Sequence, residues 1–291
     1  MSFISLLLVI LAALIHATWN MLAKRAAAAG ASFVLAYTVI ACLAYAPLVA
    51  WLIATGVAID WGWAELRFLL ASGFIHLAYS LCLQNAYHAA DLSVVYPVAR
   101  GTGPTLSTLG AFLILGETPT LPGLIGLVLV VGGIGLIATE GNLAGFRRPE
   151  GQRGVAWGSA TGGLIALYTM VDAYAVKAIG IAPILLDWFS SLLRIFLLLP
   201  FFLARPRELF RIMRGHWRGA IAVGLLSPLS YILVLTALDL GAPLSLVAPM
   251  REMSMMVGAL MGMFLLRERV TRWRLAGCAV LLAGVVLLAG R

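Results

Sequence analysis

Long apolar stretches are the feature that most constrains how this chain can fold. A helix needs about 20 predominantly apolar residues to cross the hydrocarbon core of a bilayer. Ten stretches of the 291-residue sequence meet this requirement. They lie at 3–23, 32–54, 66–88, 92–115, 122–139, 154–176, 182–204, 217–238, 243–266 and 273–290. The sequence therefore predicts an all-α membrane protein with ten transmembrane helices.

The composition supports a membrane location and argues against a nucleic-acid partner. Hydrophobic residues make up 62% of the chain and charged residues 11%, whereas soluble domains average roughly 45–50% and about 25%. The net charge of +8 comes from basic residues in short runs between apolar stretches, notably 205–218 and 267–274. Such runs are typical of loops that set membrane topology. We therefore expect contact with lipid and a small-molecule substrate, and no nucleic acid.

The two halves of the sequence resemble each other. The segment LSVVYPV at 92–98 matches LSLVAPM at 244–250, at an offset of 152 residues, and residues 19–24 match 172–177 at an offset of 153. Pairs at an offset of 151 are Arg100 with Arg251, Glu117 with Glu268, Gly126 with Gly277, and Gly133 with Gly284. Because the order is kept throughout, we predict five-helix repeats at 1–140 and 153–291, joined by a linker at 141–152.

The charges of the loops predict that the second repeat is inverted. Five helices are an odd number, so the second half must enter the membrane from the opposite side. Among the loops after the second and fourth spans the only basic residue is Arg67, while the equivalent loops of the second half hold many. These are Arg205, Arg207, Arg211, Arg214, Arg218, Arg267, Arg269, Arg272 and Arg274. Under the positive-inside rule this pattern predicts an inverted 5+5 repeat, with both termini on the periplasmic side of a bacterial inner membrane.

Several motifs resemble those of a known superfamily. The first span carries WN at 19–20 followed by Lys24, and the fourth begins with AADLSVVYP at 89–97. The fourth span ends in LILGE at 113–117, and the second half repeats this as LLRE at 265–268. In these motifs the chain resembles the drug/metabolite transporter superfamily, in its ten-helix branch with paired EamA-type domains. The resemblance implies secondary transport, and within the branch the chain is most similar to amino-acid exporters, including those for aromatic amino acids.

One departure from the superfamily bears on the alternative function, a multidrug or cation–proton antiporter. The four-helix multidrug members use a glutamate of the first helix as a shared site for protons and cationic drugs. The first span of this chain has His16 and Asn20 and no acid. An antiporter of that kind would have to use Asp172 instead.

Polar and ionisable residues inside the predicted spans are the candidates for a binding site. Placing such groups in a bilayer costs about 2.5–3.5 kcal/mol each on insertion scales, so those present usually face the interior of the bundle. Residues three or four apart share a helix face. The predicted substrate-binding residues are Trp19, His76, Tyr79, Tyr96, Arg100, Tyr168, Tyr231 and Arg251. Aromatic faces with polar tips would suit amino acids with sizeable side chains, and would suit phosphorylated sugars poorly.

The two arginines of this set have a second interpretation. Arg100 and Arg251 occupy equivalent positions of the repeat. They either bind a solute carboxylate, or they pair with buried acids and stabilise the fold. The acids available for such pairing are Asp172, Asp187 and Glu252.

Energy coupling is left open by the sequence. His16, His76 and Asp172 are candidates for proton coupling, but passive export needs none of them, and both histidines could be structural. Asp187 and Arg194 lie seven residues apart on one face of the seventh span, and an ion pair between them explains both.

Other functional classes find little support. The sequence has no nucleophile motif, no metal-ligand spacing and no glycine-rich phosphate loop, so we expect no enzyme, no metal and no cofactor. A membrane-embedded enzyme or an assembly factor would need a reactive cluster that is not visible. A monomer is compatible with the sequence. The inverted repeat and the spans rich in proline and glycine favour export by alternating access.

Overall fold

The computed structural model describes residues 1–26, 29–56, 62–89, 92–204, 206–266 and 271–290. Nearly all of this described part is helical, and it contains no strand. In chain order the helices are α1 (Phe3–Arg25), α2 (Gly30–Ala54), α3 (Trp63–Ala89), α4 (Leu92–Ile114), α5 (Leu121–Thr139), α6 (Ala144–Arg147), α7 (Pro149–Tyr174), α8 (Pro183–Leu203), α9 (Pro206–Ile212), α10 (Trp217–Asp239), α11 (Leu244–Arg251), α12 (Met253–Leu266) and α13 (Arg272–Ala289). A π-helical turn, Ala175–Ile179, follows α7.

Eight helices of the described residues are long and apolar enough to cross a membrane. They are α1, α2, α3, α5, α7 with its π turn, α8, α10 and α13. The other two predicted spans correspond to α4 and to α11 with α12. Polar residues lower the hydropathy of α4, which nevertheless continues through Pro97 and Pro104. The chain is thus a helical membrane protein, and its count of ten spans stays a prediction.

The predicted ninth span is not one helix. The sequence predicts a continuous helix over 243–266, but α11 ends at Arg251 and α12 begins at Met253. The amide of Glu252 donates to the carbonyl of Pro249, three residues back, at 3.0 Å. The fully buried carboxylate of Glu252 turns towards Arg100 at this break.

Two regions predicted as loops also contain helix. The predicted linker 141–152 includes α6 and the first turn of α7, which begins at Pro149. Proline is favoured in the first turn of a helix, because the N–H that it lacks would have no partner there. The loop between α8 and α10 contains α9.

Equivalent helices of the two repeats meet at close range where α5 packs on α13. A Cβ atom at Gly126 would lie 3.1 Å from the carbonyl oxygen of Gly284, and one at Gly133 would lie 2.8 Å from that of Gly277. Residue numbers rise along α5 as they fall along α13, so the helices are antiparallel. Because Gly126 corresponds to Gly277 in the repeat and Gly133 to Gly284, the two contacts exchange partners as a two-fold axis requires. This geometry confirms the inverted relation of the halves.

The glycines of α5 differ in their surroundings. Small residues allow membrane helices to approach closely, and the sequence predicts this role for the glycines of the fifth span. Gly126 and Gly133 have it, but a Cβ atom at Gly132 or Gly135 would meet no atom within 4 Å.

The remaining helix contacts follow the same two-fold exchange. Helix α1 packs on α10, and its counterpart α7 packs on α3. Helix α2 contacts α10 as α8 contacts α3, and α4 lies on α7 as α11 and α12 lie on α1. The axis therefore runs between the halves, and both repeats contribute to the centre of the bundle.

A carboxylate fixes the start of α11 near one end of the bundle. Glu117, in the connection between α4 and α5, accepts hydrogen bonds from the amides of Leu244 at 2.6 Å and Ser245 at 2.9 Å. Lys177 of the π turn approaches the same carboxylate at 3.5 Å and donates to the carbonyl of Ala242 at 3.0 Å. A negative charge stabilises the amino end of a helix. The repeat counterpart Glu268 lies outside the described residues, as do Asp91, Arg205, Arg267 and Arg269.

Large apolar side chains cover the outside of the bundle. Leu113 is 85% exposed, Trp63 80% and Phe3 73%. A soluble monomer rarely exposes extended apolar surface, so this outer face is suited to contact with lipid tails. The buried polar side chains lie in the interior instead, and they define the site described next.

Candidate functional site

A cavity of about 100 Å³ lies in the interior, between helices of both repeats. Seven of the eight predicted substrate-binding residues line it, as does the proton-coupling candidate His16. The seven are Trp19, His76, Tyr79, Arg100, Tyr168, Tyr231 and Arg251. They come from α1, α3, α4, α7, α10 and α11. Residues far apart in the sequence thus surround one space.

Tyr96 lies behind this lining. The guanidinium carbon of Arg100 sits 5.4 Å from the centre of its ring. A cation over an aromatic face is attracted by the electron density of the ring. In this structure Tyr96 therefore supports Arg100 and does not line the cavity.

The Asp172 centre consists of Asp172, His76 and Tyr231. The Asp172 carboxylate is fully buried, and its Oδ2 lies 2.9 Å from Nε2 of His76. The hydroxyl of Tyr231 donates to the same oxygen. A carboxylate accepts only, so the Nε2 of His76 is the donor in this pair. Oδ1 of Asp172 has no hydrogen-bond partner among the described residues.

Aromatic rings continue from this centre along one wall of the cavity. Tyr168 stacks on the ring of His76 with a centroid distance of 4.1 Å. Tyr79 meets Tyr168 edge-on at 5.5 Å, and Tyr231 does so at 6.0 Å. We call these four residues the aromatic wall. Rings in such contact hold one another in place and present both apolar faces and hydroxyls.

Arg100 pairs with Glu252, one of the partners that the sequence left open. Its Nη1 lies 3.3 Å from Oε2 of that carboxylate. Its Nη2 lies 2.9 Å from Nε2 of His16. A guanidinium can only donate, so this nitrogen of His16 accepts and carries no proton in the arrangement observed. The ring of His16 in turn contacts Trp19 edge-on at 4.8 Å.

Arg251 is less firmly held. Its Nε lies 3.9 Å from Oε1 of Glu252, which is an ion-pair distance without a hydrogen bond. That nitrogen is buried and has no hydrogen-bond partner within the described part of the chain. Glu252 is therefore shared between two arginines and satisfies Arg100 better than Arg251.

Helix α8 contributes a polar face that the sequence analysis did not include in the site. We call it the α8 face, consisting of Asp187, Ser191 and Arg194, all of which line the cavity. Nη2 of Arg194 donates to Oγ of Ser191 at 2.6 Å. The predicted ion pair between Asp187 and Arg194 is not formed, because the guanidinium is bound to Ser191 on the turn between them. The spacing of these residues, four and then three apart, was the available signal that all three share a face.

Helix α2, which packs against α8, completes the cavity lining. Tyr37 and Thr38 line the cavity there, although neither was predicted to belong to the site. Tyr37 rests edge-on against Phe33 at 5.7 Å. Both residues lie in a span that is apolar on all sides, so periodicity does not reveal which face points inward.

Opposite charges balance around the cavity. Among the described side chains that line it or lie directly behind it, three are basic and three acidic: Arg100, Arg194 and Arg251, and Asp172, Asp187 and Glu252. With neutral imidazoles their charges cancel. An uncompensated charge is costly in a low-dielectric interior. A solute without net charge would leave this balance undisturbed.

Comparison with known proteins gives a family and a fold. A family model described as the EamA-like transporter family matches residues 3–139 and 152–290. No curated protein matches the sequence significantly. A solved structure, described only as the crystal structure of a protein, is 15% identical and covers 98% of each chain with a TM-score of 0.71. At this identity the likeness concerns the fold alone.

Proposed function

Because this chain belongs to the EamA-like transporter family, we propose that it exports amino acids, in particular aromatic and other apolar ones, by alternating access. Members of this family belong to the drug/metabolite transporter superfamily and are transporters, not enzymes. The resemblance seen in the sequence is thus confirmed at the level of the family. The solute and the direction of transport are our proposal.

The composition of the cavity is the observation that carries this proposal. The aromatic wall offers ring faces for an apolar side chain, and the nearby arginines and acids offer partners for charged groups. Amino acids with large side chains combine these two properties in one small molecule. A phosphorylated sugar would bring two negative charges into a region whose charges already cancel.

The size of the cavity supports alternating access. Ligand pockets usually measure roughly 300–1,000 Å³, whereas this cavity measures about 100 Å³. A solute as large as phenylalanine can enter only when the lining helices separate. Inverted repeats provide such a movement, because each half can adopt the conformation of the other.

The alternative is a multidrug or cation–proton antiporter, with Asp172 as the exchanging acid. A cationic solute would add a net charge to a region whose charges otherwise cancel. Two donors already occupy Oδ2 of Asp172. Under this alternative, Asp172→Asn would abolish the efflux of a cationic dye, and wild-type vesicles would carry the dye but no amino acid.

We also propose that a proton gradient drives export. Asp172 and His76 are the better candidates for the proton site, since Asp172 keeps one buried oxygen without a partner. His16 is less suitable, because its Nε2 accepts from Arg100 and a proton there would break that contact. Efflux measured with and without an imposed pH gradient tests the coupling.

For the location, we propose the bacterial inner membrane with both termini in the periplasm. The inverted charge pattern of the loops supports this orientation. Fusing alkaline phosphatase, which is active only outside the cytoplasm, to the C-terminus tests it. An inactive phosphatase fusion together with a fluorescent cytoplasmic reporter fusion would reverse the assignment.

The main experiment is an efflux screen. Purified protein in vesicles loaded with the twenty amino acids should release phenylalanine, tryptophan and other apolar members faster than protein-free vesicles. Tyr168→Ala should suppress this release, because it removes the central ring of the aromatic wall. Tyr174→Ala is the matched control, since this tyrosine lies on the same helix and stacks on Phe68 outside the cavity lining. The absence of protein-dependent release for every amino acid would refute the proposal.

A further inference from the structure

Asp187 differs from the other acids around the cavity. Its side chain is buried, with only 8% of the residue exposed, and it lines the cavity. Asp172 and Glu252 each bind at least one donor. The carboxylate of Asp187 forms no hydrogen bond or ion pair with any described residue. The nearby hydroxyl of Ser190 donates to the backbone carbonyl of Asp187 and not to its carboxylate. Because Asp187 lines the cavity, its carboxylate is accessible to a solute there, and a solute cation would offset the cost of a charge at this depth.

Arg194 lies two helical turns further along α8. A separation of seven residues corresponds to a rise of about 10 Å, and side chains on a helix lean towards its amino end. The guanidinium accordingly reaches back to Ser191, at 2.6 Å, in the direction of Asp187. Its Nε has no hydrogen-bond partner in the described chain. The arginine and the acid interact electrostatically without closing an ion pair, which leaves a gap with a charge of opposite sign at each end.

We propose that Asp187 and Arg194 bind the head group of a zwitterionic α-amino acid, the ammonium at Asp187 and the carboxylate at Arg194. This inference rests on the proposed function and names the chemical group by which the substrate is recognised. An α-amino acid carries both charges on one carbon atom, and this suits an acid and a base that line one cavity from the same helix. Ser191 stands between them and holds the guanidinium in place.

The other charged groups around the cavity are less suited to this role. Arg100 is engaged by Glu252 and His16. Among the described acids, Arg251 is within ion-pair distance of Glu252, and that acid already pairs with Arg100. Asp172 does not line the cavity, and its Oδ2 is occupied by His76 and Tyr231. Among the described residues, the α8 face alone offers both signs of charge without a bound partner for the acid.

The side chain of the solute has a place in the same cavity. The aromatic wall and Tyr37 line it together with the α8 face. An apolar side chain can therefore contact rings while the head group is held by α8. The site would then require an ammonium, a carboxylate and an apolar group, and would reject molecules that lack one of the charges.

The test compares three solutes of nearly the same shape in reconstituted vesicles: phenylalanine, 3-phenylpropionate, which lacks the ammonium, and 2-phenylethylamine, which lacks the carboxylate. Wild-type protein should carry phenylalanine at least about tenfold better than either analogue, since each charge-assisted contact contributes about that factor or more. Asp187→Asn should lower kcat/KM for phenylalanine about tenfold, chiefly through KM, and abolish the preference over 3-phenylpropionate. Arg194→Gln should abolish the preference over 2-phenylethylamine.

Matched controls exist on exposed helix ends. Asp239→Asn at the end of α10 and Arg218→Gln at the start of the same helix alter exposed residues outside the cavity lining. Both should transport phenylalanine as the wild type does. If Asp187→Asn does not fold, the wild-type preference among the three solutes still decides whether transport requires both the ammonium and the carboxylate, and Arg194→Gln tests the α8 face.

The outcomes separate this inference from the proposed function. If wild-type protein carries phenylalanine but carries 3-phenylpropionate equally well, or if folded Asp187→Asn keeps the wild-type preference, the role of the α8 face is wrong and amino-acid export stands. If wild-type protein carries no amino acid at all, the proposed function fails and this inference fails with it.

Discussion

Asp172 of α7 and Asp187 of α8 are buried acids at the same cavity, and their hydrogen-bond partners differ. Asp172 is held by an imidazole and a phenol that line the cavity, and it is not part of the lining itself. Asp187 lines the cavity directly, and its carboxylate binds no described residue. Burial alone therefore does not indicate what an acid does in a membrane protein. The partners matter: Asp172 is bonded through Oδ2 to side chains of two other helices, whereas an acid that no side chain of the protein binds is available to the solute.

The largest expected effect is on the melting temperature, which should separate an acid bonded to protein donors, Glu252, from one without such a donor, Asp187. Glu252→Gln would leave Arg100 and Arg251 as buried charges without an acid, and breaking a buried pair in this way costs about 3–5 kcal/mol. We expect a large fall in the melting temperature of the protein in detergent. Asp187→Asn should leave the melting temperature unchanged or raise it, because no bond is lost.

Glu150→Gln, at the exposed start of α7, is the control for these stability measurements. A loss of stability in Asp187→Asn as large as that in Glu252→Gln would contradict the distinction. It would mean that Asp187 also stabilises the fold.

The response of efflux to a pH gradient should be the next largest difference between Asp172 and Asp187. Efflux through the wild-type protein should rise when the outside is made acidic, if protons enter as the solute leaves. His76→Gln removes the imidazole beside Asp172 and should abolish this rise while solute exchange at equal pH continues. His216→Gln, in the turn before α10 and outside the cavity lining, should respond to pH as the wild type does. An undiminished response in His76→Gln would exclude that histidine from the coupling.

The smallest expected effect comes from a single hydroxyl. Tyr231→Phe removes one of the two donors to Asp172 but keeps the ring in the aromatic wall. The loss of one hydrogen bond costs about 0.5–1.5 kcal/mol, so the melting temperature should fall slightly and transport of phenylalanine should persist. Tyr174→Phe is the control. A fall as large as that expected for Glu252→Gln would show that the phenol has a larger role in the Asp172 centre.

The architecture was predictable because it depends on long and repetitive signals. Apolar length identified the membrane helices, and pairs such as Gly126 with Gly277 identified the repeat that the antiparallel contact of α5 and α13 displays. The break at Glu252 was not predictable from its own surroundings. Its partner Arg100 lies 152 residues away, and no local sequence pattern predicts such a contact.

Part of the cavity lining was predictable, where polar residues stand out in an apolar span. His76, Tyr79, Tyr168 and Tyr231 were found in this way, and they line the cavity. The α8 face was overlooked for the opposite reason. An acid and a base seven residues apart can satisfy each other, and only the side-chain conformation shows that Arg194 binds Ser191 instead.

The antiparallel contact of α5 and α13 has a consequence for the ancestry of such a chain. Two separate copies of a five-helix unit could meet through the same glycines, but every substitution would then appear twice, once on each side of the axis. In one continuous chain the two sides are free to diverge. At repeat offsets of 152 to 153, the counterparts of Asp187 in α2 are Val34 or Leu35, and those of Arg194 are Ala41 or Cys42. Duplication followed by fusion thus permits a symmetric scaffold to hold a one-sided site, as a molecule with two different ends requires.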